Sequence, residues 1–517
     1  MSLALINRSL LQDNRSFSLH VLRGVFLALI FGALCLGRFQ AITFGAPGKY
    51  FFELICYVDF WFISLAGVSY FASAITEEKE EMTLGLLRMA GISPVGLLLG
   101  KSTSRLVGSS LLLWLQFPFA LFAVTLGGLT SWQILAAYVV LFAYMVFVAN
   151  LALWASVISH RTRGASWATG VLLGLLLLGP WVASTAAAGW LIRNPAAAWW
   201  AVPVTTAADW ADSLDVISGL RSVLTTGFDG SLFGNYVWGN FLLGAFFFGL
   251  AWVCFDRYAS REVPSAPPRG LLHRTRRRFS VFGVTRPWRE ALVWKDFHFV
   301  VGGRGMALIK LGLYLLMCIG LTALILKVEP TQTNSDIPKF FGDVLMFSMI
   351  VALMVEAAFS MSHCFRDEIQ YQTLSTLMLL PRSDLAVCTG KLVGCFMGLL
   401  PGIACFCLGA CLDPQGFKTA VWEIYQRPEG WFFTVHYFFF LHLVLLLSLV
   451  LRWGSLAMSF LLVYVGGVVL MQILAAMMMF SGISTNSMFW SITACELFAL
   501  PLLQVLTVLR VRALALR

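Results

Sequence analysis

Apolar runs of about twenty residues recur along the whole chain, and each is long enough to cross a bilayer as a helix. Lipid offers the backbone no hydrogen-bonding partner, so a spanning segment must satisfy its own N–H and C=O groups. Composition points the same way. Only 12% of the 517 residues are charged and 59% are hydrophobic, whereas a soluble domain carries about 25% charge. A soluble fold of this make-up would lack polar surface to cover itself. The expected fold class is all-α: a polytopic membrane protein of about 12 transmembrane helices. The spans are placed near 20–38, 54–75, 95–126, 132–158, 167–191 and 233–254 in the first half. Those of the second half fall near 306–326, 342–364, 386–411, 431–451, 455–480 and 487–509. No short apolar run with a small-residue cleavage site opens the chain, so no signal peptide is expected.

Lysine and arginine set the orientation. With both termini in the cytoplasm, the outer side holds only Arg38, Lys49, Arg193, Arg221, Lys327, Lys339, Lys418 and Arg427. The reverse topology would translocate the Arg257–Arg304 stretch with its Arg276-Arg277-Arg278 run. The net charge of +10 therefore reflects topology and contact with anionic lipid, and nucleic acid is not an expected partner. The expected division is a first six-helix half over 1–255, a basic linker with an interfacial segment over 256–303, and a second half over 304–517. The linker contains Pro264, Pro267, Pro268 and Pro287. The loop at 192–232, with Trp199, Trp200 and Trp210, is expected to hold an amphipathic helix on the outer surface.

Shifting the sequence by 290 residues superposes two segments without a gap. The first runs from Thr76 to Lys101 and the second from Arg366 to Lys391. Glu78 meets Glu368, Thr83 meets Thr373, and Leu84 and Leu87 meet Leu374 and Leu377. Ser93 meets Ser383, and Gly100-Lys101 meets Gly390-Lys391. Each segment follows the second span of its half and precedes the third. Each half has an even number of spans, so the repeats are parallel. The pattern reads as acidic residues at the membrane exit, a short amphipathic helix, a turn, and a lysine where the chain returns to the membrane. An exposed apolar stripe with charged edges suits docking of a soluble partner. The expected contacts are Leu84, Leu87, Leu374 and Leu377, oriented by Glu78 and Glu368; the alternative is a loop whose charges only fix topology.

At these residues the chain resembles the permease subunits of type-2 ATP-binding-cassette exporters. The pattern here is Glu77, Glu78, Thr83, Leu84, Leu87, Ser93, Pro94, Gly100 and Lys101, repeated as Asp367, Glu368, Thr373, Leu374, Leu377, Pro381, Ser383, Gly390 and Lys391. The second turn departs from it: Pro381 precedes the serine and Asp384 stands where proline would follow. The resemblance covers both halves in layout and a segment of each in motif. It implies a separate ATPase, in two copies, docked on the repeated segments, and a substrate that moves between the halves. It further implies an interfacial helix before the first span of each half, for which 3–16 and 288–301 are suited. The expected location is the bacterial inner membrane.

The chain itself shows no catalytic motif. Gly96-Leu-Leu-Leu-Gly100-Lys101-Ser102 has three residues between its glycines, and a phosphate-binding loop needs four. ATP hydrolysis is thus expected on another polypeptide. The eleven cysteines are scattered without a C-x-x-C pair, so no metal and no cofactor is expected. Glu356 is the most central polar residue of the spans, and an intramembrane carboxylate is a functional candidate. Asp59, Glu496, Gln116, Asn150, Gln472, His436 and His442 lie at other depths. Two rivals stay open. A secondary transporter of the major-facilitator type shares the span count, but Thr76–Arg88 lacks its loop pattern. A lipid-modifying membrane enzyme would need paired acidic residues, and Asp367-Glu368 has no metal-like spacing.

Overall fold

The computed structural model describes residues 47–193, 198–225, 227–259, 288–299, 301–328, 337–370, 372–451, 454–468 and 485–516, with scattered positions between 23 and 32 and at 471. Among these residues the chain is helical and without strands. The first part contains α1 (Pro47–Glu80), α2 (Leu84–Met89), α3 (Pro94–Leu126), α4 (Ser131–Ile158) and α5 (Thr162–Arg193). It continues with α6 (Ala198–Ser213), α7 (Val216–Leu224) and α8 (Asn235–Ala259). The second part contains α9 (Ala291–Phe299), α10 (Gly303–Val328), α11 (Ile337–His363), α12 (Arg366–Gln370) and α13 (Leu374–Met378). It ends with α14 (Asp384–Leu412), α15 (Pro414–Gln426), α16 (Pro428–Ser448), α17 (Ser455–Val468) and α18 (Thr485–Ala515).

Ten of these helices are long and apolar enough to cross a membrane: α1, α3, α4, α5, α8, α10, α11, α14, α16 and α18. The chain is an all-α polytopic membrane protein. Two further expected spans have no counterpart of that length here. The one at 20–38 lies almost wholly outside the described residues, and the one at 455–480 is described only as far as α17 and at Met471. Most of the linker, the stretch 3–16 and Gln472 also lie outside them.

The chain divides into two compact units, residues 1–265 with 460–477, and residues 266–459 with 478–517. In the first unit α4 is the central helix. Its Ala136, Ala137, Ala143, Ala149 and Ala152 are buried, so neighbouring helices approach it closely. Thr130 and Gln133 form a reciprocal capping box at its start. The Gln133 amide also donates to the Val223 and Thr225 carbonyls at 3.1 and 2.8 Å, closing the end of α7. That helix is an amphipathic element within the 192–232 loop, whereas Trp199, Trp200 and Trp210 lie on α6. Helix α7 buries Val216, Leu220, Val223 and Leu224, while Arg221 faces out. Its N-cap, Asp215, accepts from Ile217 N–H at 3.3 Å.

In the second unit α11 and α14 meet at two glycines. A Cβ on Gly409 would stand 2.9 Å from the Gly342 carbonyl oxygen, and one on Gly342 would stand 2.9 Å from that of Gly409. Gly409→Val should therefore lower unfolding stability in detergent by about 2 kcal/mol, the usual cost of overpacking. Gly320→Val, where no atom lies within 4 Å, should leave it unchanged.

Candidate functional site

The repeated segments share a backbone path that glycine does not explain. Helix α1 ends at Glu80, and Met82 takes the left-handed conformation at φ 58°. The Thr83 N–H then reaches back to the Glu78 carbonyl at 2.9 Å, and the Met82 N–H to that of Lys79 at 3.3 Å. This is a Schellman closure. At the same offset Gln372 has φ 55°, with Thr373 N–H to Glu368 O at 2.9 Å and Gln372 N–H to Ile369 O at 3.3 Å. Met82 and Gln372 are the positive-φ non-glycine residues among those described. Each costs about 1 kcal/mol relative to glycine, so the surroundings must hold the turn. The third helix of each segment is then capped by serine. Ser93 accepts from Gly96 N–H at 3.2 Å and Ser383 from Ala386 N–H at 3.3 Å. The Gly96–Ser102 stretch is helical, so its backbone forms no phosphate cradle.

What holds the turn is charge satisfied within the chain. Glu78 accepts from the Lys101 ammonium and the Thr83 hydroxyl. Glu368 accepts from Lys391 at 2.6 Å. Both lysines lie 23 residues beyond their glutamate. Lys391 is 1% exposed and also meets Asp296 of α9 at 3.2 Å, while Lys295 reaches Glu368 at 3.3 Å. The 288–301 stretch thus contributes a buried carboxylate that sequence reasoning missed. Burial pushes the Glu368 carboxyl up, but Lys391 and Lys295 outweigh it and hold the group below its ordinary 4.5. For Asp296 burial prevails over Lys391, and the group sits above its ordinary value.

The first copy extends the clamp. Arg105 donates to Glu77 at 2.7 Å, and also to the Tyr70 carbonyl and the Ser73 hydroxyl. Lys79 is buried and donates to the Ser156, Val157 and Ser159 carbonyls at the end of α4. The Thr162 N–H at the start of α5 donates to Glu80 at 2.7 Å. A cation at a helix C-terminus and an anion at an N-terminus both oppose the local dipole. The acidic run therefore ties the end of α1 to α3, α4 and α5. Asp367 lies on α12.

The leucine stripe requires a correction. Leu84 is buried against Ile75, Leu97, Leu98, Leu153 and Phe255, and Leu87 packs on the same cluster. Leu374 and Leu377 are likewise buried. The i, i+3 spacing identified one face of a short helix, and that face turns inward because the apolar ends of the longer helices lie there. Glu78 and Glu368 are correspondingly engaged within the chain. The outward apolar side chains include Met82, Leu86, Met89, Leu379 and Leu380, and Met89 and Leu379 share the repeat offset, at 78% and 82% exposed. Arg88 pairs with Asp256 at 3.0 Å, and Arg382 with Glu290.

Glu356 is not isolated. It pairs with Lys310 and accepts from the Tyr314 hydroxyl at 2.8 Å, both on α10. Lys310 and Tyr314 stand four residues apart, on one helix face, a spacing legible in the sequence. His436 meets Glu496 at 2.6 Å and the Gln116 amide meets Asp59 at 2.5 Å. Asn150 and His442 bond within their own helices. No group of three or more His, Cys, Asp or Glu placed to hold a metal occurs among the described residues.

Removing Lys391 would leave buried Asp296 without its ion-pair partner and Glu368 with only the half-exposed Lys295. Lys391→Met should lower unfolding stability by roughly 3 kcal/mol, and Lys101→Met, whose pair is more exposed, by about 1 kcal/mol. Because Glu368 sits below its ordinary value, its contribution is present above pH 4.5 and is lost as pH falls below that. Thermal midpoints measured from neutral pH downward should fall more steeply for the parent chain than for Glu368→Gln. Equal slopes would show that the pair adds nothing.

Comparison of the chain with protein-family models, with curated proteins and with solved structures finds no match.

Proposed function

We propose that the chain is the membrane-spanning permease subunit of an ATP-driven exporter of the type-2 ATP-binding-cassette class, with both six-helix halves on one polypeptide. The observation that carries this reading is the duplicated segment between the second and third spans of each half. Its two copies share a Schellman turn, a glutamate–lysine pair, a serine cap and one exposed apolar side chain, Met89 or Leu379. A loop kept only to fix topology needs charge but not matched geometry. The segments face the cytoplasm on this reading, and both termini lie on the same side of a bacterial inner membrane. A separate ATPase, in two copies, docks one subunit on each segment and supplies the hydrolysis. The docking contacts are Leu86, Met89, Leu379 and Leu380. Leu84, Leu87, Leu374 and Leu377 act from behind, by holding the short helices in place. Apolar anchors carry most of the affinity at such an interface, and rim charges mainly steer encounter.

The test is recovery of the ATPase with the tagged chain from native membranes. ATP hydrolysis should belong to the complex and be absent from the chain alone. Met89→Asp with Leu379→Asp should reduce co-purification at least tenfold, while each single variant costs less and insertion is unchanged. Full retention of the ATPase by the double variant would overturn the docking assignment. Hydrolysis by the chain alone would overturn the division of labour.

A further inference from the structure

Asp59 lies on α1, nineteen residues before Glu78. At the helical rise that is roughly 28 Å, close to the thickness of a bilayer core. Asp59 therefore belongs to the membrane face opposite the acidic clamp. Its side chain is 1% exposed, as is that of Gln116 on α3. The Gln116 amide N–H donates to one Asp59 carboxyl oxygen at 2.5 Å. The other carboxyl oxygen and the Gln116 amide oxygen are buried and have no hydrogen-bond partner among the described residues. A third such oxygen, the Tyr138 hydroxyl of α4, is also buried without one, and Tyr138 and Asp59 are close enough to interact electrostatically.

Few charges surround this cluster. Glu53 and Cys56 share α1 with Asp59, Tyr138 approaches from α4, and α3 contributes the neutral Gln116. From α7 and residues 461–465, which also pack on α1, no charged side chain among those described acts on Asp59. Among the described residues it has no ion-pair partner. An ionised carboxylate here would keep one hydrogen bond in place of its hydration shell, at a cost that buried charges normally avoid by taking up a proton.

Two of the three unfilled oxygens can only accept, and only the Tyr138 hydroxyl can donate. One added proton on Asp59 turns the orphaned carboxyl oxygen into a donor, for which the Gln116 amide oxygen on the facing helix is the unfilled acceptor. The Tyr138 hydroxyl forms no hydrogen bond to either. A metal cation fits less well: magnesium or calcium takes about six or more oxygen ligands, and the cluster offers three.

We propose that Asp59, paired with Gln116, forms a proton-binding site at the membrane face opposite the repeated segments. The carboxyl carries its proton in the closed arrangement seen here. It releases the proton when α1 and α3 part far enough to admit water. The bound state of the site thereby reports, and biases, the packing of α1 on α3.

The test uses the full chain in lipid nanodiscs. Its infrared spectrum at neutral pH should contain the carbonyl stretch of a protonated carboxyl that shifts in heavy water. Asp59→Asn, which keeps the shape of the neutral acid, should lose that band and retain the parent's thermal midpoint. A hydrophobic carbodiimide, which attacks protonated carboxyl groups, should modify Asp59 in the parent chain at neutral pH, as read by peptide mass spectrometry. An unchanged band in Asp59→Asn overturns the proposal, as does an unmodified Asp59. Protection of Asp59 by sodium or lithium at fixed pH assigns the site to a metal cation and overturns it too. Should Asp59→Asn fail to fold, the labelling of the parent chain decides.

Discussion

A lysine–glutamate ion pair closed within the chain governs the architecture of both repeated segments. Lys391 is almost fully enclosed, and only the carboxylates of Glu368 and Asp296 make that placement tolerable. The pairing fixes where α12 stops, where α14 starts and how close α9 lies to both. In the first unit Lys101 and Glu78 do the same with more access to solvent. Attraction inside the low-dielectric chain, rather than attraction to a partner, is the first use of these charges. Any partner must then be recognised by what is left outward, namely the exposed apolar side chains on and after the short helices.

The two copies have also diverged in physically sensible ways. Arg105 binds Glu77 and the backbone of α1 in the first unit, and Cys395 occupies the corresponding place in the second. The second copy has Asp296 as an extra carboxylate in place of that extra cation. Lys79 and Glu80 close the ends of α4 and α5, whereas the matching positions hold Ile369 and Gln370. The shared elements are the glutamate–lysine pair, its left-handed turn, the serine cap and the inward leucines. The remaining contacts are particular to each unit.

Much of this was legible in the sequence, and the limits have clear causes. Span positions follow from run length, because lipid leaves the backbone no alternative to the helix. The repeat and its serine caps follow from local residue type, since a cap is made within three residues. The inward turn of Leu84, Leu87, Leu374 and Leu377 was not legible. Periodicity identifies a face and says nothing of what lies opposite. Asp296 escaped notice because its partner is 95 residues away in sequence, and Lys310 because a single charge in an apolar run looks like a boundary error. The left-handed turns were hidden because Met82 and Gln372 are not glycines. The place of residues 460–477 with the first unit depends on long-range packing that no local pattern encodes.

The anchoring of α2 has a mechanical consequence. Its Leu84 sits among side chains from α1, α3, α4 and α8, and Arg88 is tied to Asp256 on α8. The grip comes from the apolar packing of Leu84 and Leu87, since the exposed Arg88–Asp256 pair adds little. Force applied to Met89 is divided among four long helices at once, like load on a keystone. The outward end of the segment is thus a stiff handle on the bundle rather than a loose flap.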